Sequence, residues 1–270
     1  TIPEKFITDI NFRVSDAGDI VCGGFYSKMG NTSVDGCFYT VLDGKSKNVK
    51  VSNIKEFTLD FITQDMSERE EKKTRKKEEK GRDIELYQYD LDNMILKDDG
   101  GCVLVGEQYY VQVTTHSDGK TTYTTYTYYY NDIVVINVTP DGKIEWATKI
   151  PKYQRTTNDG GYYSSYAMSV TDNNIYFLYN DHKDNLDPTQ KAGGTKNFSL
   201  RDKNGVITLA TVDKAGKLTR EALFSAAETE VNMRPKVCEQ FKEDQMLLFG
   251  EKGKKELTAR GCCRRRRFFR

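Results

Sequence analysis

Asn11-Phe-Arg-Val-Ser-Asp-Ala-Gly-Asp-Ile-Val-Cys-Gly-Gly24 lies without gaps over Asn93-Met-Ile-Leu-Lys-Asp-Asp-Gly-Gly-Cys-Val-Leu-Val-Gly106, an offset of 82 residues. Each copy reads as strand, turn, strand. With one deletion the same register takes in Met168-Ser-Val-Thr-Asp-Asn-Asn-Ile-Tyr-Phe-Leu-Tyr179, and without gaps it reaches Val237 to Gly250. A second unit follows the first three copies: Tyr39-Thr-Val-Leu-Asp-Gly-Lys45, Ile136-Asn-Val-Thr-Pro-Asp-Gly-Lys-Ile144 and Ala210-Thr-Val-Asp-Lys-Ala-Gly-Lys-Leu218 share strand, Gly-Lys turn, strand. Two hairpins per repeat give four strands per repeat, the arithmetic of a propeller blade.

The turns support this reading. Asp-Gly occurs at 35–36, 43–44, 99–100, 118–119, 141–142 and 159–160, and Asn-Gly at 204–205. These pairs accept the positive φ angles of tight hairpins, and most sit between runs of Val, Ile, Tyr, Phe and Thr. The expected fold is therefore all-β: a partial propeller of four-stranded antiparallel blades at about 7–63, 88–152 and 163–226, with an incomplete one at 232–255. In each repeat the second strand is nearly all apolar (Ile20 to Cys22, Cys102 to Val105, Ile175 to Tyr179, Met246 to Phe249), as a strand covered on both faces would be.

The repeat period, about 71 to 82 residues, exceeds the roughly 40 to 50 of a plain blade, so insertions are expected. Residues 66–83 form the first. Ser67 to Glu70 makes a capping box, the interior is Glu, Lys and Arg, and no apolar stripe appears, which predicts a charged helix over Glu68 to Lys80 standing in solvent. The second lengthens a hairpin, Gln108 to Asp132. The third, His182 to Lys203, reads as a loop.

Three blades and half of a fourth do not close a ring, so further upstream sequence is expected. At the other end, residues 259–270 carry six arginines and no acid. They break the apolar alternation, which predicts a poorly ordered, non-native basic tail that adds no strand to the fourth blade.

Composition excludes several functions. With 41 Lys+Arg against 40 Asp+Glu, no global field favours nucleic acid, and no stretch reaches the roughly 18 apolar residues of a membrane helix. Cys22, Cys37, Cys102, Cys238, Cys262 and Cys263 form no CxxC pair and no Cys/His cluster.

Asp98-Asp-Gly-Gly-Cys-Val-Leu-Val-Gly-Glu-Gln-Tyr-Tyr110, Tyr128-Tyr-Tyr-Asn-Asp-Ile-Val-Val135, Pro140-Asp-Gly-Lys-Ile-Glu-Trp-Ala147 and Arg234-Pro-Lys-Val-Cys-Glu-Gln240 resemble uncharacterised, mostly exported propeller-like proteins of Bacteroidetes bacteria, with WD40- or kelch-like blades. The resemblance covers about residues 5 to 255 and implies the fold and an extracytoplasmic location. It brings no catalytic residue.

Among the residues themselves, tyrosine stands out. Eleven of 17 tyrosines fall between Tyr109 and Tyr166, seven of them in the long hairpin. Alternating Tyr and Thr is good strand sequence, but an elongated hairpin exposes at least one face, and exposed Tyr brings contact area at little entropic cost. Tyr109, Tyr110, Tyr123, Tyr126, Tyr128, Tyr130 and Tyr163 are the expected binding residues of a non-catalytic scaffold whose partner is a protein or glycan. The alternative is a polysaccharide hydrolase or lyase using channel carboxylates, for which Asp90, Asp92 and Glu239 are the candidates. His116 and His182 read as surface-loop histidines, and no nucleophile is spaced with them. No cofactor is expected. Oxygen-rich stretches at Asp172 to Asn174, Asp181 to Asp187 and Asp202 to Gly205 would accommodate structural calcium, although none follows the EF-hand frame.

Overall fold

The computed structural model describes residues 4–30, 32–64, 66–82, 84–187, 194–200, 203–242, 245–252, 255–262 and 267–269. Strands β1 (Phe6–Val14), β2 (Ile20–Ser27), β3 (Ser33–Val34), β4 (Gly36–Leu42) and β5 (Val49–Glu56) come first, and β1-β2-β4-β5 form an antiparallel four-stranded sheet. Helices α1 (Leu59–Thr63) and α2 (Glu68–Glu78) follow, then β6 (Leu86–Tyr87), which pairs with β3. The second sheet orders β7 (Tyr89–Leu96), β8 (Cys102–Ser117), β9 (Thr122–Val138) and β10 (Ile144–Ile150) side by side, and β11 (Gln154–Thr157) pairs with the first half of β9. The third runs β12 (Ala167–Val170), β13 (Asn174–His182), β14 (Gly205–Asp213), β15 (Leu218–Ser225). After the short α3 (Ala226–Thr229), the fourth sheet contains β16 (Asn232–Met233), β17 (Glu239–Lys242), β18 (Gln245–Lys252), β19 (Lys255–Cys262) and β20 (Arg267–Phe269). The chain is thus all-β, in consecutive antiparallel sheets built on four strands, two of them with a fifth, and none closes on itself among the described residues.

Two compact units divide the chain: residues 1–109 with 132–151, and residues 110–131 with 152–270. In the first, Val21, Phe25 and Tyr39 of one sheet meet Met94, Leu104, Val134 and Ile136 of the next, all nearly inaccessible to water. Burying each such side chain stabilises by about 1.5 to 3 kcal/mol. The sheets approach closely at Gly23, where a Cβ would come within 2.9 Å of a Leu104 methyl carbon, so only glycine fits without displacement. In the second unit Tyr176, Leu178, Ile207 and Leu209 cluster with Met233, Met246 and Leu248.

The apolar second strands do not all end alike. β8 is buried from Cys102 to Glu107 and β13 from Ile175 to His182, whereas β2 and β18 each carry partly accessible positions. The first sheet turns one row of apolar residues, Val14, Ile20, Leu42 and Val49, to its open face, with Phe12 and Cys22 alongside. Ile10, Phe12, Val14 and Val49 are 52 to 63% exposed. In the fourth sheet Phe241 and Leu247 are exposed as well.

Helix α2 has the expected cap. Ser67 accepts a hydrogen bond from Glu70 N and the Glu70 carboxylate accepts one from Ser67 N, and none of its residues is buried. Helix α1, which the sequence did not announce, is capped by Thr58 and buries Phe61 and Ile62. Its short apolar run looks like strand sequence, and tertiary packing against Phe57 decides otherwise.

The expectation that the basic tail adds no strand is corrected at its described residues, 259–262 and 267–269; residues 263–266 and 270 lie outside them. β18 pairs with β19 from Lys252↔Lys255 to Gln245↔Cys262, and β20 pairs with β19 at Arg260↔Phe269 through Cys262↔Arg267. Backbone pairing needs no apolar side chains, and Leu257 and Ala259 do alternate inward, opposite Gly250 and Leu248. The arginine run masked this short period-two signal.

Candidate functional site

The tyrosine hairpin is long because β8 and β9 continue past the second sheet into the second unit. Asp118 closes its turn, its carboxylate accepting from Lys120 N and Thr121 N at 2.9 and 2.7 Å, and Gly119 takes φ +85°. His116 stacks on Tyr123, the Thr115 and Thr124 hydroxyls meet, and Tyr110 stacks on Tyr129 at 4.4 Å between centroids. These contacts fix one register, in which Val113 lies opposite Tyr126.

The pleat then divides the tyrosines between two faces. Tyr110, Tyr123 and Tyr129 share one, with the Arg155 guanidinium 5.8 Å from the Tyr129 ring centroid and the Tyr129 hydroxyl donating to Gln112 Oε1. Burial and the neighbouring Tyr129 push the Tyr110 phenol upward in pKa. Tyr109, Tyr126, Tyr128 and Tyr130 share the other. Tyr126 is 44% exposed and Val113 57%, Tyr128 is half-buried, and Tyr130 is buried.

Tyr130 is core rather than surface. The Lys236 ammonium lies 4.4 Å from its ring centroid and donates to its hydroxyl at 2.8 Å, and Gly161, at φ +66°, packs so close to the ring that a Cβ would overlap it. Below it the buried Lys152 donates to Tyr130 O, and buried Gln154 ties β11 to β13 through Asn180 O and to Ser165 N. β11 itself flanks β9 from Gln154↔Tyr130 to Thr157↔Thr127, so the hairpin is the core of a three-stranded extension.

Tyr163 lies off the hairpin, half-buried, its carbonyl accepting from Asn180 Nδ2. Burial and the Glu251 carboxylate raise its phenol pKa. Next to it Tyr162, 43% exposed, stacks beneath the Arg234 guanidinium at 3.6 Å, and Arg234 also approaches Glu251. Sequence reasoning missed Arg234 and Lys236 as partners of these aromatics, because a cation–π contact between distant segments leaves no local pattern.

The three candidate carboxylates fall in different units. Asp90 and Asp92 lie exposed on β7 in the first unit and Glu239 exposed on β17 in the second, so neither unit by itself brings the three together. Asp90 stands opposite Glu107 on β8, and burial, then the charges of Asp9 and Glu107, raise its pKa.

Of the histidines, His116 is exposed as expected, but His182 is a correction: it is 7% exposed. It ends β13, and its Nδ1 accepts from Asp184 N to cap the 3₁₀ turn Lys183–Leu186. Buried Asp181 accepts from His182 N, Asn185 Nδ2 and Thr208 Oγ1. Its oxygens therefore face protein donors. Asp202 lies outside the described residues, and among those described no group of three or more His, Cys, Asp and Glu is placed to hold a metal ion. No described helix is long and apolar enough to cross a membrane.

No protein-family model matches the chain, and no curated protein matches it. Among solved structures it is similar to the trigonal crystal form of an ACO/RPE65 chimera (11% identity, TM-score 0.38, covering 97% of this chain and 49% of that one). It is also similar to cobalt-substituted Synechocystis ACO (11%, 0.39, covering 97% and 48%) and to an ACO/RPE65 chimera (12%, 0.37, covering 97% and 48%). The chain spans about half the length of these structures, and likeness at this level carries no argument about activity.

Proposed function

We propose that the four sheets are blades of a β-propeller and that the protein is a non-catalytic, extracytoplasmic binding module whose hairpin face of Val111, Val113, Tyr126 and Tyr128 takes a protein partner. One observation carries the reading: Val113 and Tyr126, 57% and 44% exposed, stand opposite each other on a hairpin braced by β11. An extension that only had to stay soluble would carry Lys, Glu and Thr there. A rigid aromatic–aliphatic pair instead offers apolar area with few rotors to freeze on association.

The test replaces Tyr126 and Tyr128 with Ala, singly and together, and compares capture from an envelope fraction and binding to a glycan array with the unaltered chain. Each loss is expected to weaken the protein interaction by about 1 to 3 kcal/mol at a hot spot while circular dichroism and melting stay unchanged. The proposal fails if capture survives the double substitution, or if glycans rather than protein compete for the face.

A second reading, a polysaccharide hydrolase or lyase, draws on Asp90, which stands opposite Glu107 and whose pKa is raised by partial burial and by the charges of Asp9 and Glu107, as suits a carboxyl that acts as an acid. Polysaccharide cleavage abolished by Asp90→Asn would favour it over the binding module.

A further inference from the structure

A cavity of about 130 Å³ opens in the second unit, away from the hairpin. Its walls come from Ile207 and Phe224 of the third sheet, Val231 and Met233 beside α3, and Leu248, Leu257 and Ala259 of the fourth. The space exists for a reason visible in the pairing. Leu248 lies opposite Ala259 and Gly250 opposite Leu257, so each cross-strand pair on this face sets one large residue against a small one; Val231 closes over Gly250, where a Cβ would come within 2.9 Å of its methyl carbon, and the short side chain of Ala259 is what leaves room. Ile207 and Phe224, themselves partners across β14 and β15, close the far side without reaching across.

The chemistry of the lining is uniform. Its one polar side chain is Thr229, whose hydroxyl turns away to Ser225 O at 3.1 Å and Val231 O at 3.3 Å. The strand backbones in the wall are spent elsewhere: β18 and β19 bond one another along their ladder, and Met233 N and O pair with the side-chain amide of Asn180. Water needs two to four polar partners to occupy such a space, and an apolar cavity of comparable size stays dry and admits benzene or xenon. Phe224, Thr229 and Leu257 are only half-buried, so the cavity meets solvent on their side.

We propose that this cavity is a binding site for a small, uncharged, hydrocarbon-like molecule, one ring or a short branched chain in size. Such a ligand restores dispersion contacts that the lining atoms lack on their empty side. A charged or strongly hydrogen-bonding ligand would lose its hydration with nothing to replace it. The site is independent of the hairpin reading.

Toluene titrated into the full chain tests this, followed by methyl NMR at Met233, Leu248, Leu257 and Ile207 and by melting temperature. Saturable shifts at these methyls with a concentration-dependent rise in melting temperature are expected, because a ligand that binds only the folded state stabilises it by mass action. Benzoate should bind at least tenfold more weakly. Ala259→Leu, which fills the space, should weaken toluene at least tenfold, and Leu257→Phe, at the mouth, serves if that variant does not fold. Shifts that never saturate, benzoate binding as well as toluene, or a folded filled variant that still binds toluene normally would each overturn the proposal.

Discussion

Two insertions leave the sheets, and they are held in opposite ways. Helix α2 buries nothing; it rests on its Ser67–Glu70 cap and on Arg75, which reaches Glu71 at 2.8 Å and Asp60 of α1 at 3.0 Å. The hairpin of β8 and β9 is rooted instead in Tyr130, Lys152 and Gln154, all buried, and only its outer half is exposed. Local pairing keeps a helix in shape without tying its side chains to the fold, whereas a rooted hairpin presents rings at fixed positions. Recognition needs the second arrangement, which is why exposure alone does not make α2 an equal candidate.

The comparison breaks most sharply at the hairpin's root. Tyr130→Ala removes a buried ring from between Gly161 and Lys236, and urea unfolding should show a loss of about 3 to 5 kcal/mol. A loss no larger than that of an exposed tyrosine would mean the hairpin is as loosely held as α2. Farther out, a double-mutant cycle on Tyr110 and Tyr129, stacked at 13° between planes, should return a coupling of about 0.5 to 1.5 kcal/mol. Zero coupling would show that the two rings do not order one another. The smallest global effect belongs to the helix. Ser67→Ala costs α2 about 1 kcal/mol locally, yet global unfolding should move by no more than about 0.5 kcal/mol, because an unpacked helix frays on its own. Hydrogen exchange should quicken in 68–78 alone; a large shift in the main transition would show that α2 is docked after all.

What the sequence disclosed follows from range. The Asp-Gly turns and the strand–turn–strand copies gave antiparallel four-stranded sheets, and Ser67 with Glu70 gave the helix start, since each signal lies within a few residues. Hidden features were non-local or outvoted. Leu257 and Ala259 carry a strand that the arginines beyond them obscured, His182 is buried where it pairs with Gly205 across β13 and β14, and β11 pairs to β9 without a turn joining them. The tyrosines could be named as candidates, but their division between faces required the register, and the root role of Tyr130 required Lys236, 106 positions away. The cavity was equally invisible, because Gly250 and Ala259 are unremarkable until they are seen on one face.

The open face of the first sheet has a colloidal consequence. Ile10, Phe12, Val14 and Val49 form an apolar plane beside β1, a strand at the end of its sheet, and a plane of that kind lowers solubility by giving copies of the protein a surface on which to stick. Self-association should therefore rise with concentration and with sulfate, which strengthens burial, and fall when Phe12 is replaced by Lys. Light scattering that ignores both changes would show the plane to be inert; otherwise purification, crystallisation and storage of this chain are governed by four residues near its beginning rather than by its balanced charge.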